Sequence, residues 1–186
     1  MQTNDRPISE LMISINKGAI QLPDFQRGWV WEDGRIKALI ASITNNYPVG
    51  AAMFFEYGND NIRFKYRVIE GVTATDVIPT ELILDGQQRL TSIYSSLYSR
   101  NAVHTRTDKG KKIFRYYYID IKKACDPNYD RVDAIFSVPE TRIITSNFGR
   151  DIELDLSDRT KEFENKMFPL NLILDFPEEQ NWQNEY

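Results

Sequence analysis

Leu82-Ile83-Leu84-Asp85-Gly86-Gln87-Gln88-Arg89-Leu90-Thr91-Ser92 changes character in its middle. An apolar run stops at Asp85-Gly86, two amides and a guanidinium follow, and Leu90, Ile93, Tyr94 and Leu97 then recur at helical spacing. The pattern predicts a buried strand over 82–84 that turns sharply into a helix. A helix start leaves backbone N–H groups that no helical carbonyl can accept, and such groups attract anions. No other stretch of the chain concentrates polar chemistry so locally.

Two readings of the turn compete. In the first, Asp85 caps the helix and Gln88, three residues later, completes a capping box. In the second, the turn binds a phosphate. A hydrophobic staple would pair Leu84 with an apolar side chain four positions into the helix, but that position holds Arg89. A cation in the first turn also opposes the helix dipole, at about 0.3–1 kcal/mol, and a bound anion would reverse that cost. Gly86 lets the backbone approach a ligand closely, and arginine matches phosphate oxygens with a bidentate fork.

Working outward, Phe25-Gln26-Arg27 supplies a second arginine and amide, followed by Trp29 and Trp31. Arginine beside aromatics at a strand-to-helix junction suits a nucleotide, through base stacking and phosphate pairing; the plain alternative makes these rings core residues. Asp33-Gly34-Arg35 opens another helix, and Tyr47-Pro48-Val49-Gly50 reads as a structural turn in which Gly50 allows close packing. Helices are expected over 9–17, ended by Gly18, and from Glu32 or Asp33 to Asn46. Strands are expected over 19–22, 51–57, 62–70 and 113–122, more weakly over 134–138 and 142–145, with a turn at Gly58-Asn59-Asp60-Asn61 and a loop over 71–80. A polar helix over 158–167 leads into Phe168-Pro169-Leu170-Asn171. The last residues, 178–186, read as a helix whose apolar face has not yet appeared, so a longer protein is expected to continue. The class is α+β, with one domain over 1–175 and residues 176–186 starting a linker or helix.

Composition narrows the chemistry. With 41% hydrophobic and 27% charged residues in 186, the chain is long enough for one compact core and ordinary for a globular protein. No apolar run nears the roughly 20 residues of a membrane span, and the N-terminus lacks a signal-peptide pattern. Cys125 is the one cysteine and His104 the one histidine, which removes disulfide frameworks and His-rich zinc sites. His104 lies in a polar stretch read as a loop. A cytoplasmic location fits. Catalysis would fall to carboxylates, amides, arginines and a carboxylate-held Mg²⁺. The net charge of −4 is uneven: Arg100, Arg106, Lys109, Lys111, Lys112, Arg115, Lys122 and Lys123 face only Asp108 and Asp120 in one segment. That segment is either a nucleic-acid contact, through Arg106, Lys109, Lys111 and Lys112, or a solvated hairpin.

Three motifs in order, Leu22-Pro23-Asp24-Phe25-Gln26-Arg27 with Trp29-Val30-Trp31, Tyr47-Pro48-Val49-Gly50, and Leu84-Asp85-Gly86-Gln87-Gln88-Arg89-Leu90-Thr91, resemble the N-terminal domain of GmrSD-type modification-dependent restriction enzymes. The resemblance covers 8–98 well and the remainder loosely. It implies a ParB/sulfiredoxin-like fold, a small mixed sheet flanked by helices, with an added β-rich C-terminal portion. It implies binding of a nucleoside triphosphate, GTP or ATP, and its hydrolysis, coupled to sensing modified DNA in anti-phage defence. Arg89 would neutralise the transferring phosphoryl group and Gln87 or Gln88 could orient the attacking water. Asp85 could hold Mg²⁺ or accept a proton. Phe25, Gln26, Arg27, Gly86 and Thr91 would bind the nucleotide. A separate C-terminal domain, often an HNH-type nuclease, would cut DNA, and a homo-oligomer is left open. The rival functions are a non-catalytic DNA-sensing module and a ParB-like nuclease.

Overall fold

The computed structural model describes residues 5–58 and 64–186. The chain divides into two units that interleave in sequence: Met1–Trp29 with Gly50–Tyr94, and Val30–Val49 with Ser95–Tyr186. Both mix helices with small sheets, an α+β architecture.

Numbered along the chain, the first unit holds α1 (Ile8–Asn16), β1 (Ile20–Pro23), β2 (Met53–Glu56), β3 (Tyr66–Arg67), β4 (Glu81–Asp85) and α3 (Gln87–Ile93), which a π-helical turn, Tyr94–Tyr98, prolongs. Its sheet runs β2-β4-β1-β3, with β1 and β4 parallel and the outer pairs antiparallel. β1 is buried at every position, as a central strand must be. Met12 and Ile15 of α1 join Ile20, Leu22, Leu82 and Ile83 in the core. Gly18 ends α1 in the left-handed region, at φ +73, where an added Cβ would lie 2.8 Å from the Ala74 carbonyl oxygen. The buried Gln21 amide donates to the Gly18 and Val77 carbonyls at 2.9 and 2.7 Å, so the loop over 71–80 is pinned to the sheet.

The strand expected over 62–70 contracts to Tyr66–Arg67. Its partner positions on β1 are Leu22 and Pro23, and proline, lacking an N–H, suits the end of a ladder. Ile62 and Arg63, and the expected turn at Asn59-Asp60-Asn61, lie outside the described residues.

The second unit holds α2 (Asp33–Thr44), β5 (Val103–Arg106), β6 (Lys112–Asp120), α4 (Ile121–Cys125), α5 (Arg131–Ala134), β7 (Ile135–Pro139), β8 (Ile143–Ser146), β9 (Asp151–Asp155), α6 (Arg159–Asn165), β10 (Met167–Pro169) and α7 (Phe176–Glu185). The long strand β6 carries β5 and β10 on one edge and β7 on the other, all antiparallel. One sheet face meets α2, where the Tyr117 and Ser137 hydroxyls donate to Asp33 Oδ1 at 2.8 and 2.6 Å. The other face packs Tyr118, Val138, Leu156 and Met167 together. Beside that cluster Glu162, 4% exposed, accepts from the Tyr118 hydroxyl and from Trp182 Nε1, both at 3.0 Å. Burial raises the Glu162 pKa above the usual carboxylate range, against the lowering effect of those two hydrogen bonds.

Three expectations change here. The strand over 113–122 stops at Asp120, whose carboxylate accepts from the Lys123 amide at 3.0 Å and so caps α4. His104 sits on β5 rather than in a loop. The final helix does have an apolar side: Trp182 is buried and meets Phe163 and Phe168 edge-on, at 5.0 and 4.9 Å. Among the described residues no helix is long and apolar enough to cross a membrane.

Candidate functional site

β1 and β4 are adjacent and parallel, so their C-terminal ends point the same way. Chain segments leaving such ends converge, and α/β proteins use that crevice for ligands. Here the loop after β1 carries Phe25-Gln26-Arg27, and the turn after β4 carries Asp85-Gly86-Gln87-Gln88-Arg89.

Amides lace the two segments together. Gln26 Nε2 donates to the carbonyls of Ile83 and Leu84 at 2.6 and 3.0 Å. Gln87 Nε2 donates to the Arg27 carbonyl at 2.6 Å, and Gln88 Nε2 to that of Gly28 at 3.2 Å. Arg67 Nη2 adds a bond to each of the Gln26 and Arg27 carbonyls, both at 3.2 Å. Trp29 closes the loop: its amide donates to Glu70 Oε1 and its indole to Ser92 Oγ, each at 3.0 Å. Arg67, Glu70 and Ser92 were not legible as site residues, because their role depends on the β1–β3 register and on which side of α3 meets the loop.

The turn is capped differently from the capping-box reading. The cap position is Gly86, at φ 92, and no side chain accepts there. At this turn the step from extended to helical backbone is taken through the left-handed region, which glycine enters without a Cβ clash. Asp85 therefore stays the last strand residue. Its side chain is 73% exposed and lies 3.4 Å from Arg89 Nη2. A register shift between Met53 and Phe54 leaves Asp85 opposite Met53 at this end of the ladder.

Arg89 is held from the β2 side. Nη2 donates to the Ala51 carbonyl at 2.6 Å, and a Cβ on Gly50 would fall 2.1 Å from Nη1. The structural reading of Gly50 is thereby given a cause: it makes room for a guanidinium. Gly50 also sits at φ +87. Gly50→Ala is expected to cost about 1–2 kcal/mol for the left-handed backbone and to push Arg89 off Ala51. Urea unfolding should show that loss, and adding Arg89→Ala should remove the collision while leaving the backbone cost.

The remaining expected residues divide by exposure. Phe25 is 69% exposed and meets Phe64 edge-on at 5.6 Å; Arg27 is exposed; Thr91 is fully buried. Neither Trp29 nor Trp31 is fully buried, and Trp31 with Arg35 belongs to the second unit. Three buried polar atoms of the first unit, Gln26 Oε1, Glu70 Oε2 and Thr91 Oγ1, have no hydrogen-bond partner among the described residues. Among those residues no group of three or more His, Cys, Asp or Glu is placed to hold a metal ion. Arg106, Lys109, Lys111 and Lys112 lie in the second unit, on the hairpin of β5 and β6.

The model of the GmrSD restriction endonuclease N-terminal domain matches residues 8–185. An uncharacterized protein of Methanocaldococcus jannaschii is 31% identical over 170 residues, 88% of this chain and 28% of that protein. The chain thus spans under a third of the length of the curated relative it matches.

Proposed function

Because the chain belongs to the GmrSD restriction endonuclease N-terminal domain family, we propose that it is the nucleoside-triphosphate-binding and hydrolysing regulatory domain of a larger, cytoplasmic, modification-dependent DNA restriction protein, with its nuclease in a separate C-terminal domain. The observation that carries this reading is the lacing of the Phe25–Arg27 loop to the Asp85–Arg89 turn at the ends of two parallel strands. On this reading the mixed sheet of the first unit is the ParB/sulfiredoxin-like part.

The residues present fit a nucleotide. Exposed Arg27 and the anchored Arg89 are cations for phosphate oxygens. Phe25 offers a ring face for a base. Asp85 would supply the protein's one carboxylate to a Mg²⁺ whose other ligands are phosphates and water, the usual Mg²⁺ arrangement; bound there, the ion would offset charge on the transferring phosphoryl group. Gln87 spends its amide on the Arg27 carbonyl and so positions the loop. Gln88, with the longer bond, is the amide for orienting water.

Thermal shift with ATP and GTP, with and without Mg²⁺, tests this. Ligand binding to the native state raises Tm, by about 2.7 kcal/mol of stabilisation at a hundredfold excess over Kd. Arg27→Ala should abolish the shift without lowering the ligand-free Tm, since Arg27 is exposed. A flat nucleotide panel, or a shift that survives Arg27→Ala, would overturn the proposal.

A further inference from the structure

The hairpin of β5 and β6 has one face unlike the other. Val103 and Thr105 are buried, at 3% and 5% exposure, so strand alternation sends His104 and Arg106 to the opposite face. Across the ladder His104 pairs with Phe114 and Arg106 with Lys112. The His104 and Phe114 rings stack, with centroids 4.6 Å apart and planes 10° from parallel, and Phe114 is 45% exposed. Further along β6 that face closes: Tyr116 packs against the Tyr118–Val138 cluster and has Arg142 4.6 Å above its ring, so the open part is the His104–Phe114 end. Lys109, Lys111 and Lys112 are exposed at the tip. Arg106 keeps a buried Nε with no partner among the described residues.

An exposed phenylalanine stacked on an exposed histidine leaves flat apolar area in water, within a basic segment of an acidic chain. An acidic peptide would explain the lysines but not the stacked rings. An exposed aromatic stack flanked by Arg and Lys is what single-stranded nucleic acid uses, bases on the rings and phosphates on the cations. Duplex DNA hides its base faces and would use only the cations. We propose that this face, centred on His104 and Phe114 with Arg106 and Lys112 beside them, binds unpaired nucleotides of a DNA strand. The choice of DNA over RNA rests on the restriction-system reading, while the stacking site itself is independent of the nucleotide turn.

The test is fluorescence anisotropy of the chain with a labelled oligothymidylate of about 12 nucleotides, long enough for the site sizes typical of such surfaces. Phe114→Ala should weaken binding about 10- to 100-fold with unchanged Tm, and Phe114→Tyr should restore it. Lys112→Glu should weaken binding and flatten its salt dependence, whereas Lys17→Glu, in the first unit, should not. Equal loss on a duplex, no effect of Phe114→Ala, tighter binding of oligouridylate, or preference for polyglutamate would each overturn the proposal. Arg27→Ala should leave oligothymidylate binding intact, which separates a failure here from a failure of the nucleotide site.

Discussion

Gly86→Ala is expected to destabilise the protein by about 2–5 kcal/mol and to abolish any nucleotide-induced rise in Tm. Two costs add. An L-residue at φ +92 costs about 1–2 kcal/mol. The new Cβ would also sit 3.0 Å from Ala52 Cβ and 3.3 Å from Ala52 Cα, so backbone beside β2 must move, at about 1–3 kcal/mol for overpacking. For a chain of this size the sum lowers Tm by roughly 4–20 °C. Its effect on the site follows from geometry, because the same Cβ would come within 3.5 Å of Arg89 Nη2. Adding Ala52→Gly should recover the crowding portion but not the backbone portion. Full recovery would show that the left-handed turn carries no strain for alanine, and calorimetry on the four proteins of that cycle decides it.

Glu162→Leu is the second large effect, about 2–6 kcal/mol. The substitution leaves the Tyr118 hydroxyl and the Trp182 indole N–H buried without their acceptor, each at about 1–3 kcal/mol. Glu162→Gln should be far milder, since its carbonyl can accept from Trp182 and its amide can donate to the Tyr118 oxygen. The pair also predicts a pH effect. Burial places the folded-state pKa of Glu162 above its unfolded value, so the native state holds that proton more tightly. The contribution of Glu162 is therefore most favourable at low pH. It declines as pH rises through the unfolded value and then the folded one. Urea midpoints from pH 4 to 8, about the window in which a raised glutamate titrates, should show that decline in the wild type and a flatter profile in Glu162→Gln. Parallel profiles would remove Glu162 as the cause.

The strand, the turn and the helix after it could be read from sequence because the evidence for them is local. Leu82 to Leu84 are apolar without interruption, Gly86 breaks the run, and Leu90, Ile93, Tyr94 and Leu97 are all buried at the expected spacing. The helix cap falls on Gly86, one residue after the Asp85 of the capping-box reading. Asp85 and Gln88 satisfy a capping box by type, but type does not reveal that the chain bends at Gly86, at φ 92, with no side chain accepting at the cap. The joining of Phe25–Arg27 to the turn was visible as two similar motifs. The bonds that join them were not, because they depend on a parallel pair between distant strands. The interleaving of 30–49 with the second unit leaves no trace in composition. Trp182 is not legible as a core residue because Phe176 and Trp182, six positions apart among polar residues, make no stripe, yet Trp182 is buried.

The parallel pairing of β1 with β4 also sets an order of events. Gln26 and the Ile83 carbonyl it grips are 57 residues apart, and Gln87 is 60 from the Arg27 carbonyl. A local hairpin forms before such a contact, because the intervening loop must first lose its freedom. The candidate site therefore cannot exist in a half-folded chain. Any ligand that needs both segments would sense completion of the first unit, and its occupancy would slow the reopening of β1 from β4. A domain built this way could take up a ligand that needs both segments only after its own topology was finished.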